Sequence, residues 1–342
     1  YPKQLSRFSA NYIKFLVQRI LREFDMLGHQ TTNIAINECL QAIIMIVSMK
    51  EVMDEKFTSF EEDLIPLYGL LGHIGKIEFY DYLIVIATEI IKQLPQNSPI
   101  YTILQKHLFH IFNKNEEVID EYFFGLFYYW ARNGNDFITQ ENPELLHDMV
   151  KICLNSIESF PIETLGKEYE HFSQACVCLQ MLIQFFARDQ LAKSINLIFS
   201  QLDRVEKKLV SENTRTIGFR FYQTYYCLLY YYPTETLRHL TNLTEKELLR
   251  VLVEDVPRNY LKFFRDDSYS RKMISLGLMS LFNNRSSTCH IPGLAQACFK
   301  SLIQVLRYIP QDQKKPQGNK NQVQPQPQFV EEQKNEEEFH GN

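Results

Sequence analysis

Residues 266–282 read DDSYSRKMISLGLMSLF, and this stretch decides how the rest of the chain is read. Asp266, Asp267 and Ser268 carry short side-chain oxygens that accept from the unpaired N–H groups of a first helical turn. Ile274, Leu278, Leu281 and Phe282 then recur at i, i+4, i+7 and i+8, which is one face of a helix. Met273, Leu276 and Met279 make the neighbouring faces apolar too, which predicts a helix enclosed by others. Gly277 in mid-helix costs about 1 kcal/mol against Ala, and the expected compensation is close approach of another helix. Arg271 and Lys272 fall in the first two turns, where the helix dipole disfavours cations. Arg271 is expected to pair with Asp267 four residues earlier. The alternative for both cations is a role facing a partner.

The same helical period runs outward from this stretch. Leu5 to Phe24 carries Phe8, Tyr12, Phe15, Leu16, Ile20 and Leu21 as a stripe. Ile34 to Met53 includes Ile43-Ile-Met-Ile-Val47, which could be a buried strand, but its flanking length and polar neighbours predict a buried helix. Phe57 to Leu71 and Ile77 to Leu94 make the next pair, with Pro66 expected to break, kink or begin the first of them. Ser98 to Phe112 and Glu116 to Trp130 follow. Then come Pro143 to Phe160 with Glu163 to Phe186, and Ala192 to Leu209 with Ser211 to Tyr232. Pro233 is expected to end that helix, Thr244 to cap the next with Glu247, and Pro257 to precede Tyr260 to Phe264. Ile291 to Ile309 closes the folded part. Helix pairs thus recur about every 40 to 50 residues, the period of HEAT and armadillo units. The predicted fold is all-α: a HEAT/armadillo-like solenoid of stacked antiparallel helix pairs over residues 1–310.

Composition agrees with that class. The chain has 342 residues, 45% of them hydrophobic and 13% aromatic, with few glycines. Its formal net charge of −5 argues against a nucleic-acid footprint, which shows as a basic stripe. Seven cysteines, an odd number scattered over apolar helical patterns, point to reduced thiols. No apolar run approaches the ~18 residues of a membrane span.

Three segments resemble one family. Ser270-Arg-Lys-Met-Ile-Ser-Leu-Gly-Leu-Met-Ser-Leu281 is similar to the "DRKM…LGL…L" helix near the C-terminal end of nuclear transport receptors of the importin-beta superfamily, within it the importin seven/eight branch. Leu64-Ile-Pro-Leu67 through Ile77-Glu-Phe-Tyr80 to Ile91 resembles that family's "LPL…EFYEE" step. Tyr225-Tyr-Cys-Leu-Leu-Tyr-Tyr-Tyr-Pro233 resembles its "ALYYNP" helix end. Ser270 stands where the first motif carries Asp, with Asp266 or Asp267 as the substitute. The chain begins with Tyr1, and the expectation is the C-terminal part of a longer array. The resemblance implies a transport receptor shuttling between cytoplasm and nucleus and carrying protein cargo, including basic cargo. It also implies contact with Phe-Gly nucleoporins, and with the GTPase Ran mainly through N-terminal repeats outside this chain. The alternative is another HEAT-repeat scaffold or adaptor in the cytoplasm.

After Pro310 the composition changes. Residues 311–328 are rich in Gln, Asn, Pro and Lys, and Glu331, Glu332, Glu336, Glu337 and Glu338 form an acidic patch. This tail, residues 311–342, is expected to be disordered. Its glutamates, with Arg271 and Lys272, are the candidate partner-binding residues. No enzyme, cofactor, direct nucleic-acid contact or membrane insertion is expected. His107 and His110 at i, i+3 lack a third ligand, Cys289-His290 stands alone, and Gly69, Gly72 and Gly75 read as helix ends. The Tyr cluster at 225–232 reads as helix packing.

Overall fold

A computed structural model describes residues 2–27, 33–49, 58–71, 79–93, 101–102, 105–106, 121–134, 137–138, 143–160, 167–186, 188–211, 218–242, 246–260, 267–284 and 293–307. Among these residues every regular element is helical. In chain order they are α1 (Pro2–Leu27), α2 (Asn33–Val47), α3 (Thr58–Leu71), α4 (Tyr80–Gln93), α5 (Glu121–Asn133), α6 (Pro143–Glu158), α7 (Lys167–Phe185) and α8 (Arg188–Ser211). There follow α9 (Phe219–Tyr231), α10 (Pro233–Asn242), α11 (Lys246–Arg250), a π turn at Val251–Asp255, α12 (Val256–Tyr260), α13 (Ser268–Asn283) and α14 (Leu294–Arg307). All belong to one unit, Tyr1–Tyr308.

The packing follows a rule of alternation. α2 packs on α4, α4 on α5, α5 on α7, α7 on α9, and α9 on α13. A second row brings α1 to α3 and α6 to α8. Side-chain partners show the direction of these neighbours. Between α6 and α8 the pairs are Glu144–Lys193, His147–Ser194, Asn155–Gln201 and Glu158–Arg204, separated by 49, 47, 46 and 46 residues. Between α9 and α13 they are Arg220–Asp267 and Gln223–Ser270 at 47, and Leu229–Ser280 at 51. A near-constant difference as both numbers rise means that the two helices run the same way; opposed helices would keep the sum constant. In these two pairs the helices therefore run side by side in the same direction, 46 to 51 residues apart in sequence.

Helix ends are completed by the same neighbours. The last carbonyls of an α-helix have no partner within the helix. Val47 O accepts from Gln93 Nε2 of α4 at 3.0 Å, and Ile91 O accepts from Asn133 Nδ2 of α5 at 2.7 Å. Glu158 O accepts from Lys208 Nζ of α8 at 2.7 Å, and Phe186 O from the Tyr232 hydroxyl at 3.4 Å. α13 differs: Asn284 Nδ2 caps Ser280 O of its own helix at 2.8 Å.

Several expectations change in detail. Ile43 to Val47 is helical, with Ile43 and Val47 fully buried. Pro66 lies inside α3 and neither begins nor ends it. Pro233 ends α9 as expected but also opens α10, because a proline at a first helical position removes an N–H that is unpaired anyway. The helix after Lys246 holds a π turn that the sequence reading did not foresee. Its cause is Pro257. Val256 N–H bonds Val251 O in the i→i−5 register, and the next donor in that register, Pro257, has no N–H. The carbonyl it would have served, Leu252 O, accepts instead from the buried Tyr226 hydroxyl of α9. Val253 O accepts from Ser301 Oγ of α14 at 2.6 Å.

Candidate functional site

The start of α13 is densely bonded. Asp267 is the N-cap in extended conformation, and its side chain accepts from Ser270 N–H at 2.9 Å. Its Oδ2 accepts from the Ser270 hydroxyl at 2.5 Å and from Arg220 Nη1 of α9 at 2.9 Å. Arg220 Nη1 also reaches Ser270 Oγ at 2.9 Å and Gln223 Oε1 at 3.0 Å. On the far side of α9, Gln180 Nε2 of α7 donates to Arg220 O at 2.9 Å and to Thr224 Oγ1 at 3.2 Å. One polar chain thus links α7, α9 and α13. Burial alone would raise the Asp267 carboxyl. The Ser270 bonds and the Arg220 guanidinium outweigh it and hold the group below its ordinary value.

This arrangement places the sequence candidates. Asp267 supplies the carboxylate at the start of α13. The guanidinium on its Oδ2 is that of Arg220, brought from α9 by packing. Arg271 lies within the seam and is only 7% exposed, whereas Lys272 beside it faces solvent. Glu331, Glu332, Glu336, Glu337 and Glu338 lie outside the described residues, as do His107, His110, Cys289, His290 and Thr244.

Below this seam Gly277 meets Tyr226. A Cβ on Gly277 would sit 2.8 Å from Tyr226 Cβ and 2.9 Å from its Cα, so the predicted close approach is made against α9. In the Tyr cluster at 225–232, Tyr225, Tyr226 and Tyr232 are buried packing residues as predicted and Tyr230 is exposed, while Phe221 stands edge-on to Tyr222 and Tyr225.

Pairs of chemically capable side chains serve as ties between helices. His147 Nδ1 lies 3.0 Å from Ser194 Oγ, but Ser194 is 1% exposed, so no substrate reaches that hydroxyl. His239 Nε2 lies 2.9 Å from Asp203 Oδ1 with the Phe199 ring stacked 4.3 Å from the imidazole, joining α10 to α8. Cys39, Cys153, Cys176, Cys178, Cys227 and Cys298 are free and buried. Burial pushes the Cys176, Cys178 and Cys227 thiols well up and that of Cys298 to about 11, which disfavours the reactive thiolate. Among the described residues no group of three or more His, Cys, Asp and Glu side chains is placed to hold a metal ion. None of the described helices is long and apolar enough to cross a membrane.

The surface offers more than the interior. On α1 the buried face is Ile13, Leu16, Val17 and Ile20, while Phe8, Tyr12 and Phe15 are 67%, 41% and 55% exposed. The stripe expected from the sequence, Phe8, Tyr12, Phe15, Leu16, Ile20 and Leu21, merges two faces: Leu16 and Ile20 are buried and the three rings are exposed. The signal that separates them is the continuation: Phe8, Tyr12 and Phe15 extend at the same spacing to Arg19 and Arg22, not to aliphatic residues. Tyr230 and Met279, at matching positions of α9 and α13, are a second exposed apolar pair.

No known family model, no curated protein and no solved structure matches this chain.

Proposed function

We propose that residues 1–310 are a HEAT/armadillo-like solenoid segment that works by binding proteins along its helical surface, as a nucleocytoplasmic transport receptor of the importin-beta type. The observation that carries the first part is a recurring separation of partners, found in most of the bonds between helices. Side chains 40 to 51 residues apart bond helix to helix from Val47–Gln93 through Val253–Ser301. A chain whose units each bond chiefly to the next is one in which unit stacks on unit. The His147–Ser194 and His239–Asp203 pairs tie helix to helix, which supports a surface function over a reaction.

The transport reading rests on the sequence resemblance at residues 64–91, 228–233 and 271–281. The polar cluster at the start of α13 adds support, because Asp267 restores the carboxylate that the family motif holds one turn later. On this reading the chain binds protein cargo and Phe-Gly nucleoporins, and leaves Ran to repeats N-terminal to it. It moves between cytoplasm and nucleus.

The test uses the chain as it stands. It should bind immobilised Phe-Gly repeat peptides and collect at the nuclear envelope of permeabilised cells, while Ran in its GTP form binds weakly or not at all. Absence of Phe-Gly binding together with exclusion from the envelope would remove the transport reading and leave a cytoplasmic scaffold. Sub-micromolar Ran binding would overturn the assignment to a C-terminal segment. Small-angle scattering tests the architecture separately: a spherical particle of 40.5 kDa would contradict the solenoid.

A further inference from the structure

We propose that the apolar stripe Ala295–Phe299–Leu302–Leu306 on α14 is covered by the chain's own acidic segment, residues 329–339, with the glutamates of that segment set against Lys300 and Arg307. α14 buries one narrow face, Leu294, Cys298, Ser301 and Val305, spaced i, i+4, i+7 and i+11. Ser301 shows what that face meets, since its hydroxyl donates to Val253 O of the π turn. The residue after each buried one repeats the spacing as Ala295, Phe299, Leu302 and Leu306. Phe299 is 55% and Leu306 45% exposed, Ala295 is exposed and Leu302 is half-buried. The Phe282 ring of α13 lies 6.4 Å from that of Phe299 and widens the apolar surface. One residue further round the helix stand Lys300 and Arg307, both exposed. α14 therefore carries a buried stripe, an open apolar stripe and a basic edge, side by side.

The end of a stacked helical array needs a polar outer face to stay soluble, and an apolar strip left open marks a contact. The chain itself supplies an occupant of matching chemistry. It runs on from Arg307, and residues 329–339 read FVEEQKNEEEF, in which Phe329, Val330 and Phe339 bracket five glutamates and one lysine. Apolar residues meet the stripe, and the excess of acid meets its basic edge.

Length permits the contact. The residues between Arg307 and Phe329 span up to about 70 Å when extended, whereas the stripe from Ala295 to Leu306 is about 16 Å long. Because the segment belongs to the same molecule, its effective concentration at α14 is on the order of mM, enough for a contact of this small size. This inference stands apart from the transport reading: it gives the glutamates expected to meet a partner a place on the chain's own last described helix.

Hydrogen exchange read by mass spectrometry tests it on the 342-residue chain, with a synthetic peptide of residues 325–342 as the reference. The amides of 329–339 should exchange at least fivefold more slowly in the chain than in the peptide. F299S/L306S should bring them to the peptide's rate, with exchange in α13 and the melting temperature unchanged because both side chains are exposed. F329S/F339S, which leaves α14 as it is, should release the glutamates between them in the same way. K300E/R307E should remove most of the slowing. Exchange at the peptide's rate in the wild-type chain, or slowing retained in any of the three variants, would overturn the proposal. So would slowing that fades on dilution, since the segment would then cover a second copy.

Discussion

Gly277 and Tyr226 fix the close approach of α13 to α9: a methyl group placed on Gly277 would stand 2.8 Å from Tyr226 Cβ. The same tyrosine sends its hydroxyl to Leu252 O in the π turn. One residue therefore sets the α9–α13 spacing with its Cα and Cβ, and completes a proline-broken ladder with its oxygen.

Replacing Gly277 by Leu should destabilise the chain by about 1–3 kcal/mol through overpacking. Even Ala should lose, although it is the better helix former. Urea unfolding measures both. A midpoint raised by Gly277→Ala would mean that α13 moves away from α9 at little cost.

Tyr226→Phe keeps the ring against Gly277 and deletes only the hydroxyl, leaving a buried carbonyl unpaired at a cost of about 1–3 kcal/mol. Pro257→Ala supplies the missing N–H one turn away in the same helix. The two changes should therefore couple: Tyr226→Phe should cost less in the Pro257→Ala background. A double-mutant cycle reads the coupling directly. Additive effects would show that Pro257 is not why the Leu252 carbonyl is open.

Asp267→Asn preserves a good N-cap and removes the charge facing Arg220, so it should cost about 1–2 kcal/mol at pH 7. The Asp267 carboxyl is held below its ordinary value in the folded chain. Its contribution is thus present above the unfolded value of about 3.9 and lost as pH falls through the folded value. The stability gap between wild type and Asp267→Asn should close below about pH 4. A gap independent of pH would point to lost geometry rather than lost charge.

Asn133→Ala should cost about 0.5–1.5 kcal/mol, because the cap it provides for Ile91 of α4 disappears. The more telling readout is local. Amide exchange should speed up at the C-terminal turn of α4 as well as in α5. Exchange altered in α5 alone would deny that neighbouring helices complete each other's ends.

The sequence by itself determined that the chain is helical. Apolar residues at i, i+4, i+7 and i+8 around Ile274 leave a helix as the one way to bury them together. Asp267 declared its cap and Gly277 its close contact, because each effect is local or depends on a missing side chain. What only the tertiary structure decided is which residues meet across helices. Arg220 reaches Asp267 from 47 residues away; no spacing within α13 could announce it, since packing and not sequence proximity brings it there. The π turn needed both Pro257 and a donor on α9 to satisfy the carbonyl that Pro257 leaves open. On α1 the sequence showed apolar residues at helical spacing but not which of two adjoining faces turns inward. Ile13 and Leu16 are buried and Phe8 and Phe15 are exposed because burial belongs to the side where other helices pack, and that side exists only in the fold.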